Sequence, residues 1–276
     1  AVRFDAPAAG NRPGRHGAWQ RPLERRRLRE ARLLAPWSDG ALVEAPQPRA
    51  RAVVVPVPVA AGRPAPLAQR DIAAVTYATN PHKKGLDRVA AAWGRARRGE
   101  ERLLVLGIAA DHPAARAASE VCAAGAGERS ASRPGAGAAG GEAIAFVPFL
   151  PHAEYRALLR RARVFVTAPR REDYGLAQLD ALAEGCALVT TAAPGPYAAL
   201  PIVRALDERL VAPDPGAQAR GADGLAEAVR TALDEPASDL VQRTARLLRP
   251  FLPEAVDRVV AEELLPALLT SPEVRT

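Results

Sequence analysis

Two lysines stand side by side, Lys83 and Lys84, in the stretch NPHKKGLD, and every other basic residue of the chain is arginine. A lysine ammonium is a compact point charge on a flexible stem and suits a phosphate oxygen. The stretch follows the apolar run IAAVTY (72–77), and Gly85 opens a helical pattern behind it. Helix starts offer free N–H groups and partial positive charge to anions. The plain alternative is a solvated loop carrying two exposed lysines. The adjacency of the only two lysines in the chain favours the phosphate role.

A second group stands in VFVTAPRREDYGLAQLDALAEG (164–185). An apolar run ends at a Pro, and a charged turn, Arg170 to Asp173, leads through Gly175 into a helix. Glycine permits close backbone approach by a ligand, and the helix start again favours an anion. Glu172 precedes this helix and Asp180 lies within it. Paired carboxylates of this kind can hold vicinal hydroxyls of a ribose or another sugar. Equally, Asp173 can cap the helix while Glu172 and Asp180 face water.

Both groups must be positioned by the elements before them. Strand patterns at 72–77, 102–107, 143–149, 163–168, 187–191 and 208–212 alternate with helical patterns at 85–99, 113–124, 152–162, 175–185 and 197–205. Further helices are expected at 223–234, 238–249 and 253–269. Such alternation predicts an α/β fold, a Rossmann-like parallel sheet with helices on both faces. Ligands of such sheets bind at the carboxyl ends of the strands. Upstream, 18–33 reads as a basic helix, and RAVVVPVPVA (51–60) as an edge strand or linker because Pro56 and Pro58 cannot donate to a ladder. The Pro/Gly-rich stretch 61–71 is the expected domain boundary. The low-complexity segment 123–141 reads as a surface loop.

The chain has 276 residues, a net charge of +7, 48% hydrophobic and 25% charged residues, and no apolar run long enough to span a bilayer. The charge accompanies a bias toward Ala, Arg, Pro and Gly, so it selects no partner by itself. Aromatic content of 4% is low for a stacking nucleic-acid binder, and the basic helix carries no docking motif. Cys122 and Cys186 match no metal or redox spacing, and a reducing cytoplasm is the expected compartment. His16, His82, His112 and His152 are scattered and read as solvated or structural, with His82 and His152 near the proposed ligand end. Trp93 and Tyr155 read as core, and Cys186 as buried and inert.

With both strand ends in view, the chain resembles the GT-B fold retaining glycosyltransferases of family 4 (glycosyl transferases group 1). The family motif Glu-x-Phe-Gly, followed by an apolar residue and Glu-Ala, stands here as Glu172-Asp173-Tyr174-Gly175 and Leu179-Asp180-Ala181. Ala183-Glu184-Gly185 with ALVTT, and Lys84-Gly85 with LDRVAAAW, continue the match, which spans about residues 71–249. The resemblance implies a GT-B C-terminal domain at 71–250 that binds a nucleotide-sugar. It further implies a remnant of a second Rossmann-like, acceptor-side domain at 1–70, and a helix at 251–276 crossing back to it. The chain, which opens without Met, is expected to begin partway through that first domain.

Carried over by position, Lys84 would bind the donor diphosphate, Glu172 the donor sugar and Asp180 the ribose. Backbone at Gly175 and Leu176 would hold a phosphate, and Leu150, within Phe149–Pro151, would lie beside the base. The family carries Arg at the position of Thr79, and Lys83 would replace that charge. Asp180 is one methylene shorter than the family Glu, and the loop PGPYAALP lacks the family acid. The implied reaction transfers a sugar with retention, without a protein nucleophile, cofactor or metal; no Asp-x-Asp motif occurs in the chain. The expected partners are a nucleotide-sugar donor and a glycan, lipid-linked or small-molecule acceptor, with peripheral membrane contact left open and nucleic acid excluded. A catalytically incomplete nucleotide-sugar-binding domain is the rival reading.

Overall fold

A computed structural model describes residues 17–43, 51–132, 142–214 and 221–270. Helix α1 (Gly17–Glu30) leads into strand β1 (Leu33–Leu34), which pairs in parallel with β2 (Arg51–Ala52); a short helix α2 (Asp39–Val43) lies between. Then come β3 (Ile72–Tyr77), α3 (Pro81–Lys84), α4 (Leu86–Ala96), β4 (Leu103–Leu106), α5 (Pro113–Ser132), β5 (Ile144–Val147) and α6 (His152–Arg161). They are followed by β6 (Ala162–Val166), α7 (Leu176–Ala183), β7 (Ala187–Thr191), α8 (Ala199–Leu206) and β8 (Val211–Ala212). Helices α9 (Gly221–Asp234), α10 (Leu240–Leu247), α11 (Pro253–Val259) and α12 (Leu265–Leu269) close the described chain, the last two joined by a π turn.

Strands β3 to β8 form one sheet in the order β5-β4-β3-β6-β7-β8, and every pair is parallel. Counted from its first strand this is 3-2-1-4-5-6, the doubly wound order. Burial on both faces explains the unbroken apolar runs: Ala74, Val75, Leu103, Val105, Val164, Phe165, Leu188 and Val189 are all buried. Trp93 is buried as expected, and its indole N–H donates to the Ala143 carbonyl at 2.9 Å. The chain reverses its winding direction between β3 and β6. Those are the two strands that end in the lysine pair and in the charged turn.

Two expectations about elements are sharpened and two need correction. The helix expected over 85–99 runs as α4 over Leu86–Ala96 with Gly85 as its N-cap, so the lysines do precede a helix start. They end the single turn α3, which Asn80 caps by accepting from the Lys83 backbone N–H at 3.0 Å. The low-complexity segment is helical through Ser132, while 133–141 lies outside the described residues. A Cβ on Gly94 or Gly125 would press on the Cys122 or Ala91 carbonyl of the facing helix, so these glycines let α4 and α5 approach backbone to backbone. That tertiary contact orders a sequence with little side chain to bury. The strand expected over 208–212 is confined to β8, behind a 3₁₀ turn at Glu208–Leu210. Within 51–60 only Arg51 and Ala52 pair as a strand.

Gly85 sits at φ +66°, and a Cβ there would overlap the Ala168 carbonyl oxygen in the loop after β6. The glycine therefore presses α3 onto the neighbouring strand end. Gly85→Ala should lose about 2 kcal/mol of stability in urea titration, from backbone strain and from that overlap.

Extended residues 53–63 form a strap over the sheet domain. The Val59 N–H donates to the Phe251 carbonyl, and Gly62 packs so closely on α7 that a side chain would overlap the Ala183 carbonyl. Beside it, Glu184 is buried and accepts from Arg156 at 2.7 Å, from Arg160 at 3.1 Å and from the Arg63 backbone N–H at 3.1 Å. Burial pushes the Glu184 carboxyl up, but the hydrogen bonds from Arg160 and Arg156 outweigh it and hold the group below its ordinary value.

Candidate functional site

The carboxyl ends of β3, β4 and β6 open into a cleft of about 430 Å³. Lys83, Lys84, Glu172, Asp173 and Gly175 line one end; Phe149, Leu150, His152 and Tyr155 line the other, and Asp180 and Leu176 also face it. Thus the structure brings Lys83, Lys84, Leu150, Glu172, Gly175, Leu176 and Asp180 to one cavity. Thr79 is exposed and does not line it; its methyl group lies against Gly107 at the end of β4. Gly107 itself lines the cleft, so Thr79 stands one residue behind its wall.

At the charged end the two lysines pair with two acids. The Lys84 ammonium lies 2.7 Å from Glu172, with side-chain exposures of 19% and 6%, and the Lys83 ammonium 2.7 Å from Asp173. Glu172 is thus not solvated. The Gln178 amide also donates to its carboxylate at 2.9 Å, and the Glu172 backbone N–H donates to Pro194. Asp173 does not cap α7. It accepts instead from Lys83 and from the buried Arg171, and these cations outweigh burial to hold its carboxyl below the ordinary range. The Arg170 backbone N–H donates to the Lys83 carbonyl, and its guanidinium grips Asp87, which ties the two strand ends together.

Gly175 is the N-cap of α7, at φ +96°, with no side chain capping the helix. A Cβ there would crowd the Tyr197 ring at 2.7 Å. The first N–H groups of α7 therefore start a helix at the cleft with only a glycine in front of them, a setting that attracts an anion. Gly185 closes the same helix at φ +80°.

The opposite end is aromatic. Tyr77 and Tyr155 pack at 5.6 Å, and Tyr155 donates to the Ala177 carbonyl at 3.2 Å. Burial, then the Asp180 charge, push the Tyr155 phenol well above its ordinary value, so it stays neutral. Phe149 is exposed at the rim. Tyr174, where the family motif has Phe, accepts from the Val57 backbone N–H at 2.9 Å and meets Trp37 edge-on, fastening the charged turn to the strap. Burial raises its phenol to about 12, against the opposing Val57 hydrogen bond. Cys186 is fully buried, and burial pushes its thiol up to about 12, in keeping with an inert thiol.

The sequence reading took Tyr155 only as core and did not find Tyr77 or Gln178. Tyr77 carried a signal, as the last residue of an apolar run at the carboxyl edge. Among the described residues no group of three His, Cys, Asp or Glu could hold a metal ion, and no helix is long and apolar enough to cross a membrane.

Comparison with known proteins agrees with this geometry. Residues 32–259 match the family described as family 4 glycosyltransferase in conflict systems. A glycogen synthase of Mycobacterium tuberculosis is 38% identical over 117 residues, covering 42% of this chain and 25% of that protein. The sucrose-phosphate synthase of Thermosynechococcus elongatus superposes with a TM-score of 0.63 at 18% identity, over 90% of this chain and 61% of its own. The pneumococcal O-GlcNAc transferase, solved with UDP and GlcNAc, gives 0.67 at 13% identity, over 90% of this chain and 47% of its own. The two superpositions identify a GT-B type fold, and the chain spans about a quarter of the synthase it matches in sequence.

Proposed function

The chain belongs to the family 4 glycosyltransferases of conflict systems, and we propose that its cleft binds a nucleoside diphosphate-sugar and transfers the sugar to an acceptor hydroxyl with retention. One observation carries this reading: the chain's only two lysines and two acids of the β6 turn converge at the point where a doubly wound sheet reverses. That is where such sheets take phosphorylated ligands. The UDP in the pneumococcal transferase is consistent with it.

In this mechanism the diphosphate lies between Lys84, Lys83 and the start of α7, and draws both ammonium groups from Glu172 and Asp173. Glu172, released from Lys84 but still held by Gln178, accepts from a sugar hydroxyl. Asp180 accepts from the ribose, and Leu150 lies beside the base. The bond between the anomeric carbon and the diphosphate oxygen breaks, and the acceptor oxygen bonds that carbon on the same face. The acceptor proton passes to the departing phosphate oxygen. Lys84 and the α7 N–H groups stabilise the growing negative charge, and one such donor contributes about 3 kcal/mol to the barrier. The acceptor is a glycan, a lipid-linked sugar or a small molecule.

The test is a panel of UDP-, GDP- and ADP-sugars, read by thermal shift and then by the anomeric configuration of any product. Stabilisation by one nucleotide class with a retained anomer is expected. Stabilisation without turnover would leave a nucleotide-sugar-binding domain, and an inverted product would overturn retention.

A further inference from the structure

The acid assigned to the ribose does not stand alone. His152 opens α6, and its Nε2 lies 3.1 Å from Asp180 Oδ2. The imidazole stacks on Tyr155 at 26° and 6.2 Å, and both His152 and Asp180 line the cavity. The other Asp180 oxygen faces Arg156 at 4.0 Å from within the protein. Of the two groups nearest Asp180, then, Arg156 is buried and committed to Glu184 and the strap, whereas His152 is 66% exposed.

An exposed side-chain contact contributes little to stability, typically under about 1 kcal/mol. A built contact at a cavity wall asks for another role. The Asp180 carboxylate shares Oδ2 with His152 and faces Arg156 with Oδ1. A ribose presents two vicinal hydroxyls, and an imidazole nitrogen beside a carboxylate offers the second partner. We infer that His152 and Asp180 form a two-residue clamp on the ribose diol, and that His152 sets the preference of this site for ribonucleotides over deoxyribonucleotides. His152 is a specificity residue here and takes no part in bond breaking. The inference rests on the nucleotide reading of the cleft proposed above.

The experiment is isothermal titration of UDP, GDP and ADP, each beside its 2′-deoxy counterpart, into the full chain and into His152→Ala and His152→Gln. For whichever diphosphate binds, the parent should prefer the ribose form by roughly 10-fold or more, as one hydrogen bond to a charged group implies. His152→Ala should bring that ratio close to one, and His152→Gln, which keeps a polar atom at the site, should restore part of it. A variant that lost both forms equally would have lost a structural contact and not a clamp, and that result overturns the inference. So does a parent that binds both forms equally. If none of the six nucleotides binds the parent, the nucleotide reading itself falls, and the clamp with it.

Discussion

Lys84→Ala should lower nucleoside diphosphate affinity by roughly 100-fold, the effect of one charge-assisted contact. The same change should also destabilise the ligand-free chain, by about 3 kcal/mol, because it strands the buried Glu172 carboxylate without its cation. The two effects separate in a double variant. Lys84→Met with Glu172→Gln removes both charges and leaves a pair of similar shape, so most of the lost stability should return in urea titration. Affinity, measured by calorimetry in the same proteins, should not return. If the double variant regained nucleotide binding, the role of Lys84 would be structural, and the phosphate would have to be held elsewhere.

The largest effect on stability is expected at Glu184. It lies outside the cleft and joins α7 to Arg156, Arg160 and the strap. Glu184→Leu leaves the buried Arg156 guanidinium without its counter-charge, and a loss of about 4 kcal/mol follows, seen as a fall of about 10 °C in melting temperature. Acid titration gives a second reading. The Glu184 carboxyl is held below its ordinary value of 4.5 in the folded chain, so the unfolded chain binds its proton first as pH falls. Its contribution is complete above that ordinary value and disappears as pH drops through the folded one. Glu184→Gln should flatten this part of the acid limb while leaving the neutral-pH slope unchanged.

The elements of the sheet were legible because their burial is two-sided: IAAVTY and ALVTT are strands at the positions that their apolar runs predict. The single turn α3 was hidden because Pro81–Lys84 carries no apolar period, and its order comes from the Asn80 cap and from Gly85 behind it. The helix through Ser132 was hidden because its order comes from a facing backbone and not from its own side chains. In the site, seven residues chosen near strand ends line one cleft, since a parallel sheet brings all its carboxyl ends to one edge. Thr79 was chosen by the family position alone, and it lies against Gly107 at the edge of the lining. The pairing of Lys84 with Glu172 joins two segments 88 residues apart, and no local pattern could have announced it.

The scarcity of lysine has a practical consequence. Apart from an amino terminus, Lys83 and Lys84 are the only primary amines in the chain, and both face the same cleft. An amine-directed acylating reagent therefore reads this site and little else. In the purified protein its labelling rate should report occupancy of the cleft, with no engineered tag, because the many arginines elsewhere are silent to that chemistry.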